Sequence, residues 1–200
     1  MKRFIAIFAI AFISIISFGK TKEQAKMEKE ITKDLTGVSF ANFKKYETVT
    51  LQMEVDKWTK MVDFFQGWDK SFLDAFIEGT NTENMGYPRS YFEKKAGEYR
   101  DNLSKHTALL EHLAAVKRTY NCNKTTFTIY QLTYIGTDQD GNKVHDHCYG
   151  RFNTKGEMVA FRLNDSTNWK LKGNFWSIPD IEKDWNIPTK WRQDIININF

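Results

Sequence analysis

Residues 125–165 constrain the fold more than any other part of the chain, because they read as three consecutive antiparallel strands joined by two turns. Residues 125–135 alternate through Phe127, Ile129 and Ile135, and residues 143–152 through Val144, Cys148 and Phe152. In residues 157–163, Val159, Phe161 and Leu163 share one face. The polar stretches 137–142 and 153–156, each with a Gly, supply the turns. Period-2 patterning with β-branched and aromatic enrichment predicts a β-meander.

The N-terminus has the composition of an export signal. Lys2 and Arg3 precede an apolar run over residues 4–16, and Ser17-Phe18-Gly19 offers small residues for cleavage. The run is shorter than the roughly 18 residues of a membrane span. It is followed at once by polar Lys20-Thr21-Lys22-Glu23. The expectation is a signal peptide over residues 1–19 and a periplasmic or secreted mature chain that holds no membrane anchor. Losing Lys2 and Arg3 lowers the formal net charge from +4 to +2. With Lys and Glu interspersed, no basic stripe points to nucleic acid.

Several helices precede the meander. Thr21 and Gln24 have capping-box spacing, and Met27, Ile31 and Leu35 recur every fourth residue, with Gly37 as the expected stop. Val49, Leu51 and Met53 alternate as a short strand would. Residues 54–66 place Trp58, Met61, Val62 and Phe65 on one helical face; Gly67 interrupts, and Asp69 caps a following helix that ends at Gly79. Ser90 and Glu93 form a second capping box before the stripe Phe92, Ala96, Tyr99 and Leu103. Residues 108–120 fit a helix or a strand, and the turn cluster 121–124 favours a strand ending at Tyr120. Helices first and a consecutive antiparallel sheet after them predict an α+β class, with the helices packed on one face of the sheet. The expected organisation is a helical extension over 20–53, an α+β domain over 54–165 and a Trp-rich extension over 166–200. That extension holds Trp169, Trp176, Trp185 and Trp191, punctuated by Pro179 and Pro188. Such a segment is either a strap over the domain's own apolar surface or a set of exposed rings for stacking on sugars.

Chemistry depends on how the strands pair. A first turn centred on Gln139-Asp140 sets Cys148 opposite Gln131. The core face then carries Phe127, Ile129, Ile135, Val144, Cys148, Phe152, Val159, Phe161 and Leu163, together with three polar side chains, Gln131, Thr133 and Asp146. A carboxylate buried there would have its charged form disfavoured, which suits acid–base work. The other face carries Tyr130, Leu132, Tyr134, His145, His147, Tyr149, Arg151 and Arg162. His145 and His147 could share a metal with His112 as third ligand, but two histidines alone do not make a zinc site. The same register keeps Cys122 and Cys148 too far apart for a disulfide, so two free thiols are expected. No nucleophile elbow, zinc-protease motif, phosphate loop or dinucleotide fingerprint is present, and no cofactor is expected.

The run Phe64-Phe65-Gln66-Gly67-Trp68-Asp69, followed by a helix and a sheet whose last strand pair reads Phe152, Gly156, Glu157, Met158 and Asp165, resembles the SnoaL-like superfamily, also called nuclear-transport-factor-2-like. The resemblance covers residues 54–165. It implies a cone-shaped, cystatin-like fold with a curved sheet and a pocket between helices and sheet. It makes Gln131, Thr133, Asp146 and Glu111 pocket residues and turns the His/Tyr/Arg face into a homodimer contact. Enzymatic members use a pocket Asp or His; others only bind ligands. The resulting expectation is an exported, non-catalytic domain that binds a small or extended ligand, a small molecule or a glycan. Its alternatives are a lyase, isomerase or cyclase using Asp146, and a glycan- or protein-binding module using the C-terminal tryptophans.

Overall fold

A computed structural model describes residues 19–80, 86–164, 168–181, 191 and 193. Residues 1–18 of the expected signal peptide lie outside the described residues, as do Asp165, Trp185, Pro188 and the chain end after 193. The order of elements is α1 (Lys22–Ile31), β1 (Thr36–Thr50), α2 (Leu51–Thr80), α3 (Arg89–Thr119), β2 (Thr125–Thr137), β3 (Lys143–Asn153), β4 (Met158–Leu163) and β5 (Lys170–Leu171). The five strands form one antiparallel sheet in sequence order, so the class is α+β.

The meander forms, but its first turn is centred half a residue further on than expected. The loop runs over residues 138–142, with Thr137 paired to Lys143. Asp138 drives it: its Oδ1 accepts from the backbone N–H groups of Asp140 (3.0 Å) and Asn142 (2.8 Å), while Gly141 takes a left-handed φ of 85°. The loop is therefore centred on Asp140, and Cys148 faces Leu132 while Gln131 faces Tyr149. A register one residue away from the expected one moves every β2 side chain to the other side relative to β3. The expected core face is corrected accordingly, and Ile135 stands 47% exposed.

Both faces of the sheet are covered. On one side Phe127, Ile129, Tyr149, Val159 and Ala160 pack with Val55, Trp58, Met61 and Val62 of α2 and Leu109, Leu113 and Val116 of α3. On the other, Leu132, Tyr134, Cys148, Phe152 and Phe161 pack with Met27 and Ile31 of α1. The helices thus divide between the faces instead of sharing one. The expected His/Tyr/Arg surface does not exist as one face, because Leu132 and Tyr134 lie under α1 while Tyr149 and Arg151 are buried on the α2–α3 side.

Strand β1 carries no plain alternation because bulges interrupt it, with register shifts between Ala41 and Lys44 and between Lys45 and Glu47. Left-handed Asn42 (φ 53°) sits in the first, which returns Phe43 to the face of Phe40. Leu51 and Met53, read above as strand, open α2, and α1 stops at Ile31 rather than at Gly37. Thr21 caps α1 as expected, its Oγ1 accepting from the Gln24 N–H at 3.1 Å.

Helix α2 continues through Gly67, and Asp69 caps nothing; its carboxylate lies 3.3 Å from His106 of α3. A helical Gly costs about 1 kcal/mol, which the packing of the α2–α3 hairpin offsets. Helix α3 starts behind Pro88 without a side-chain cap and runs to Thr119, so residues 108–119 are helical and not a strand. Where the helices come closest, a Cβ on Gly79 would sit 2.5 Å from the Phe92 ring. Among the described residues of the C-terminal segment, Trp169, Phe175, Ile178 and Ile181 are buried and Trp176 packs 5.2 Å from Trp58. Cys122 and Cys148 are free.

Candidate functional site

The α1 stripe does not seal the sheet. Between α1, its exit turn and the open end of the sheet lies a cleft of about 410 Å³, in the size range of small-molecule sites. Its floor is Tyr134, Val144, Phe161 and Leu163; Ile31 and Leu35 form a wall. Charged and polar side chains ring the mouth: Glu30, Lys33 and Asp34 from the α1 end, Asp146 and the amide of Asn164 from the sheet, and Lys170 and Lys172 from β5 and its exit.

Glu30 organises the rim. It accepts from Lys33 and from Lys172, each at 2.8 Å, which ties the end of α1 to the segment after β5. Partial burial alone would raise its carboxyl, but the hydrogen bonds from Lys172 and Lys33 hold it below the usual range. Tyr134 on the floor and Cys148, buried in the same core, behave in the opposite way. Burial, reinforced by the Asp146 charge, pushes the Tyr134 hydroxyl and the Cys148 thiol each up to about 12. Both stay protonated at neutral pH, so neither is an activated nucleophile or base.

Asp146 lines this cleft, half-buried on its sheet side. Its Oδ1 accepts from the His147 backbone N–H at 2.7 Å and lies 3.3 Å from His147 Nδ1, and its Oδ2 accepts from Asn164 Nδ2 at 3.3 Å. Gln131 and Thr133 do not join it. They lie on the opposite face, where Gln131 Nε2 donates to the Tyr149 hydroxyl at 3.0 Å and Thr133 pairs with His147. Glu111 is exposed on α3, away from the cleft lining. The one-residue register difference thus separates the expected pocket group.

His145 and His147 share a face as expected, His145 exposed and His147 edge-on to Tyr149 at 5.2 Å. His112 hydrogen-bonds the Pro179 carbonyl at 2.8 Å. Among the described residues no three His, Cys, Asp or Glu side chains come together as a metal ion would require. The fourth histidine, His106, is buried between α2, α3 and the Trp191 ring at 5.1 Å. Burial pushes its imidazole below the ordinary value, and the nearby Asp69 only partly opposes this. The unfolded chain therefore takes up the proton first as pH falls. The stability His106 contributes is intact above about pH 7 and is lost as pH drops through about 6.5. Asp69, raised by burial, acts with the opposite sign nearer pH 4. We expect the melting temperature to fall between about pH 7.5 and 5.5, and to fall less in His106→Gln; equal slopes in thermal melts would refute this.

The sequence reading missed the α1 wall and the Lys172–Glu30 tie. The signal present was the Met27, Ile31, Leu35 stripe, which needs a second apolar sheet face to dock on. It also missed a buried ion pair in the other core. Arg151 Nη2 donates to Glu54 Oε1, and the two side chains are 2% and 1% exposed. The guanidinium lies over Phe127 at 4.2 Å and Phe175 at 5.0 Å, and Ser177 Oγ donates to Glu54 Oε2 at 3.3 Å. Burial and then the Arg151 charge depress the neighbouring Lys57.

No family model, no curated protein and no solved structure matches the chain. Among the described residues no helix is long and apolar enough to cross a membrane.

Proposed function

We propose that the chain is an exported ligand-binding domain that holds a small amphiphilic molecule in the cleft between α1 and the sheet, without catalysis. The observation that carries this reading is the cleft's division into an apolar floor, Val144, Phe161, Leu163 and the protonated Tyr134, and a charged mouth. An apolar body would rest on Phe161 and Leu163 while a polar head meets Lys170 and Asp146. A fluorescent anionic amphiphile such as anilinonaphthalene sulfonate tests it. We expect saturable enhancement with the wild-type chain and at least tenfold weaker binding in Leu163→Arg, which fills and charges the floor. Equal binding by both proteins would sink the reading. The acid–base alternative rests on Asp146, whose oxygens engage a backbone amide and Asn164.

A second reading draws on Trp176. Together with Tyr120, it lines a separate cleft of about 420 Å³ with Asn121, Asn153, Asn174 and Lys155. Aromatic rings among amide and ammonium donors suit a saccharide. Quenching of tryptophan fluorescence by oligosaccharides, abolished in Tyr120→Ala, distinguishes this site from the first.

A further inference from the structure

The cleft beside α1 holds a buried polar group that the protein itself leaves unused. Tyr134 is 3% exposed and lines the floor. Its hydroxyl makes no hydrogen bond to any described residue, whereas a buried phenol ordinarily finds a partner. Nor is it sealed inside the protein, so it opens on the cleft. Tyr134 stands directly opposite Asp146 of β3, whose charge is close enough to help keep the hydroxyl protonated. The Asp146 oxygens accept from the His147 backbone N–H and from Asn164, with His147 Nδ1 alongside. A carboxylate has about four acceptor sites. This end of the cleft can therefore still take a donor at Asp146 and an acceptor at Tyr134.

The other end is basic. Lys33 and Lys172 share Glu30, which leaves one positive charge in excess there. Lys170 adds a second, and among the described residues it has no ion pair. The third carboxylate of the lining, Asp34, is exposed on the turn that leads from Glu30 to Leu35, and Leu35 packs over Gly136 at the Tyr134 end. The three lysines and three carboxylates thus balance over the whole cleft and divide along its length. An anion suits the lysine end, where it gains charge-assisted hydrogen bonds.

Strand pairing sets the distance between the ends. Lys170 lies opposite Phe161, and Phe161 opposite Gly150, four residues along β3 from Asp146. Four residues span about 13 Å, and the two strand spacings from β3 to β5 about 10 Å. Less the reach of the flexible lysine stem, the ammonium and the Tyr134–Asp146 pair stand on the order of 10 Å apart. The diagonal between them crosses Leu163 and Phe161 of the apolar floor. The polar groups that meet Lys170 and Asp146 therefore sit at two ends of one apolar ligand. At the Tyr134 end a hydroxyl fits both partners, because it accepts from Tyr134 and donates to Asp146. An ammonium has no lone pair for the Tyr134 proton, and a carbonyl or second carboxylate would set its lone pairs against Asp146.

Resting on the amphiphile reading of this cleft, we propose that its ligand is a long-chain hydroxy acid, with the carboxylate held by Lys170 and the distant hydroxyl held between Tyr134 and Asp146. Calorimetric titration with decanoate, 10-hydroxydecanoate and 10-aminodecanoate tests it, since these share one chain and differ only at the far end. The hydroxy acid is expected to bind about tenfold tighter than decanoate through its added hydrogen bonds. That advantage should vanish in Tyr134→Phe, whose melting temperature should match the wild type because the lost hydroxyl holds nothing in the protein. Lys170→Met should weaken decanoate and the hydroxy acid alike. Decanoate binding as tightly as the hydroxy acid, or an advantage that survives Tyr134→Phe, would overturn the proposal and leave the amphiphile reading standing. Tightest binding by the amino compound would overturn it in favour of a cationic far end, and unchanged affinities in Lys170→Met would remove the carboxylate from its place. If none of the three binds, both the proposal and the amphiphile reading fall.

Discussion

Replacing Glu54 by Ala is expected to lower the unfolding free energy by about 3–5 kcal/mol, because it strands the Arg151 guanidinium in an apolar interior. Arg151 has nowhere to go. It is 2% exposed and flat against Phe127 and Phe175. Among the described residues Nε has no hydrogen-bond partner of its own, and Glu54 is the anion that compensates the charge. Glu54 in turn holds Ser177, so the substitution also loosens the segment that buries Phe175 and Ile178. Arg151→Ala should cost a similar amount by leaving the carboxylate uncompensated. The double replacement Glu54→Leu, Arg151→Met should recover most of the loss, since two apolar side chains of similar volume need no pairing. Urea unfolding of the three variants measures this cycle. If both single changes cost under about 1 kcal/mol, the site is wetter than its burial implies.

Gly150→Ala should have the second largest effect, and its consequence is functional as well as structural. A Cβ at this position would lie 2.7 Å from the Phe152 ring and 2.9 Å from the Met27 side chain. Phe152 is fixed by its own packing, so Met27 must yield, and Met27 is the residue that seats α1 on the sheet. Overpacking of this kind costs about 1–3 kcal/mol. Because α1 is the wall of the cleft, amphiphile binding should weaken as well. Adding Met27→Ala restores the space, so the double mutant should lose less stability than the sum of the two single losses; a strictly additive double mutant in thermal melts would show that the two positions do not collide.

The strands of the meander were legible because their alternation is intact over β2 and β3, where each residue pairs in an unbroken ladder. Their faces were not. That assignment turned on whether the turn is centred between Gln139 and Asp140 or on Asp140 itself, and Asp138 decides it through hydrogen bonds of its own side chain. Asp146 lines the cleft beside α1, whereas Gln131 and Thr133, expected on its face, lie across the sheet. Strand β1 stayed hidden because its bulges, with left-handed Asn42 in one of them, shift the apolar residues out of period 2. Gly67 looked like a helix end because local propensity says so; the Asp69–His106 contact and the Gln66–Thr107 hydrogen bond, 41 residues apart in sequence, are not visible to propensity. The Glu54–Arg151 pair was missed for the same reason, being joined only across the core.

The pairing of β1 with β2 sets the order in which this chain can assemble. Thr50 lies opposite Thr125, and everything between them is the α2–α3 hairpin. Left as coil, residues 51–124 would have to be closed at a large entropic cost before the first ladder bond formed. A helical hairpin forms from near-neighbour contacts and returns its two ends to one place, with Leu51 N–H bonded to the Lys124 carbonyl and Gln52 N–H to the Cys122 carbonyl. The sheet then closes across a preformed clasp rather than a loop, which places the hairpin ahead of β1 in time. Substitutions at the Gly79–Phe92 crossing should therefore slow refolding, whereas changes at the β1 bulges should mainly speed unfolding.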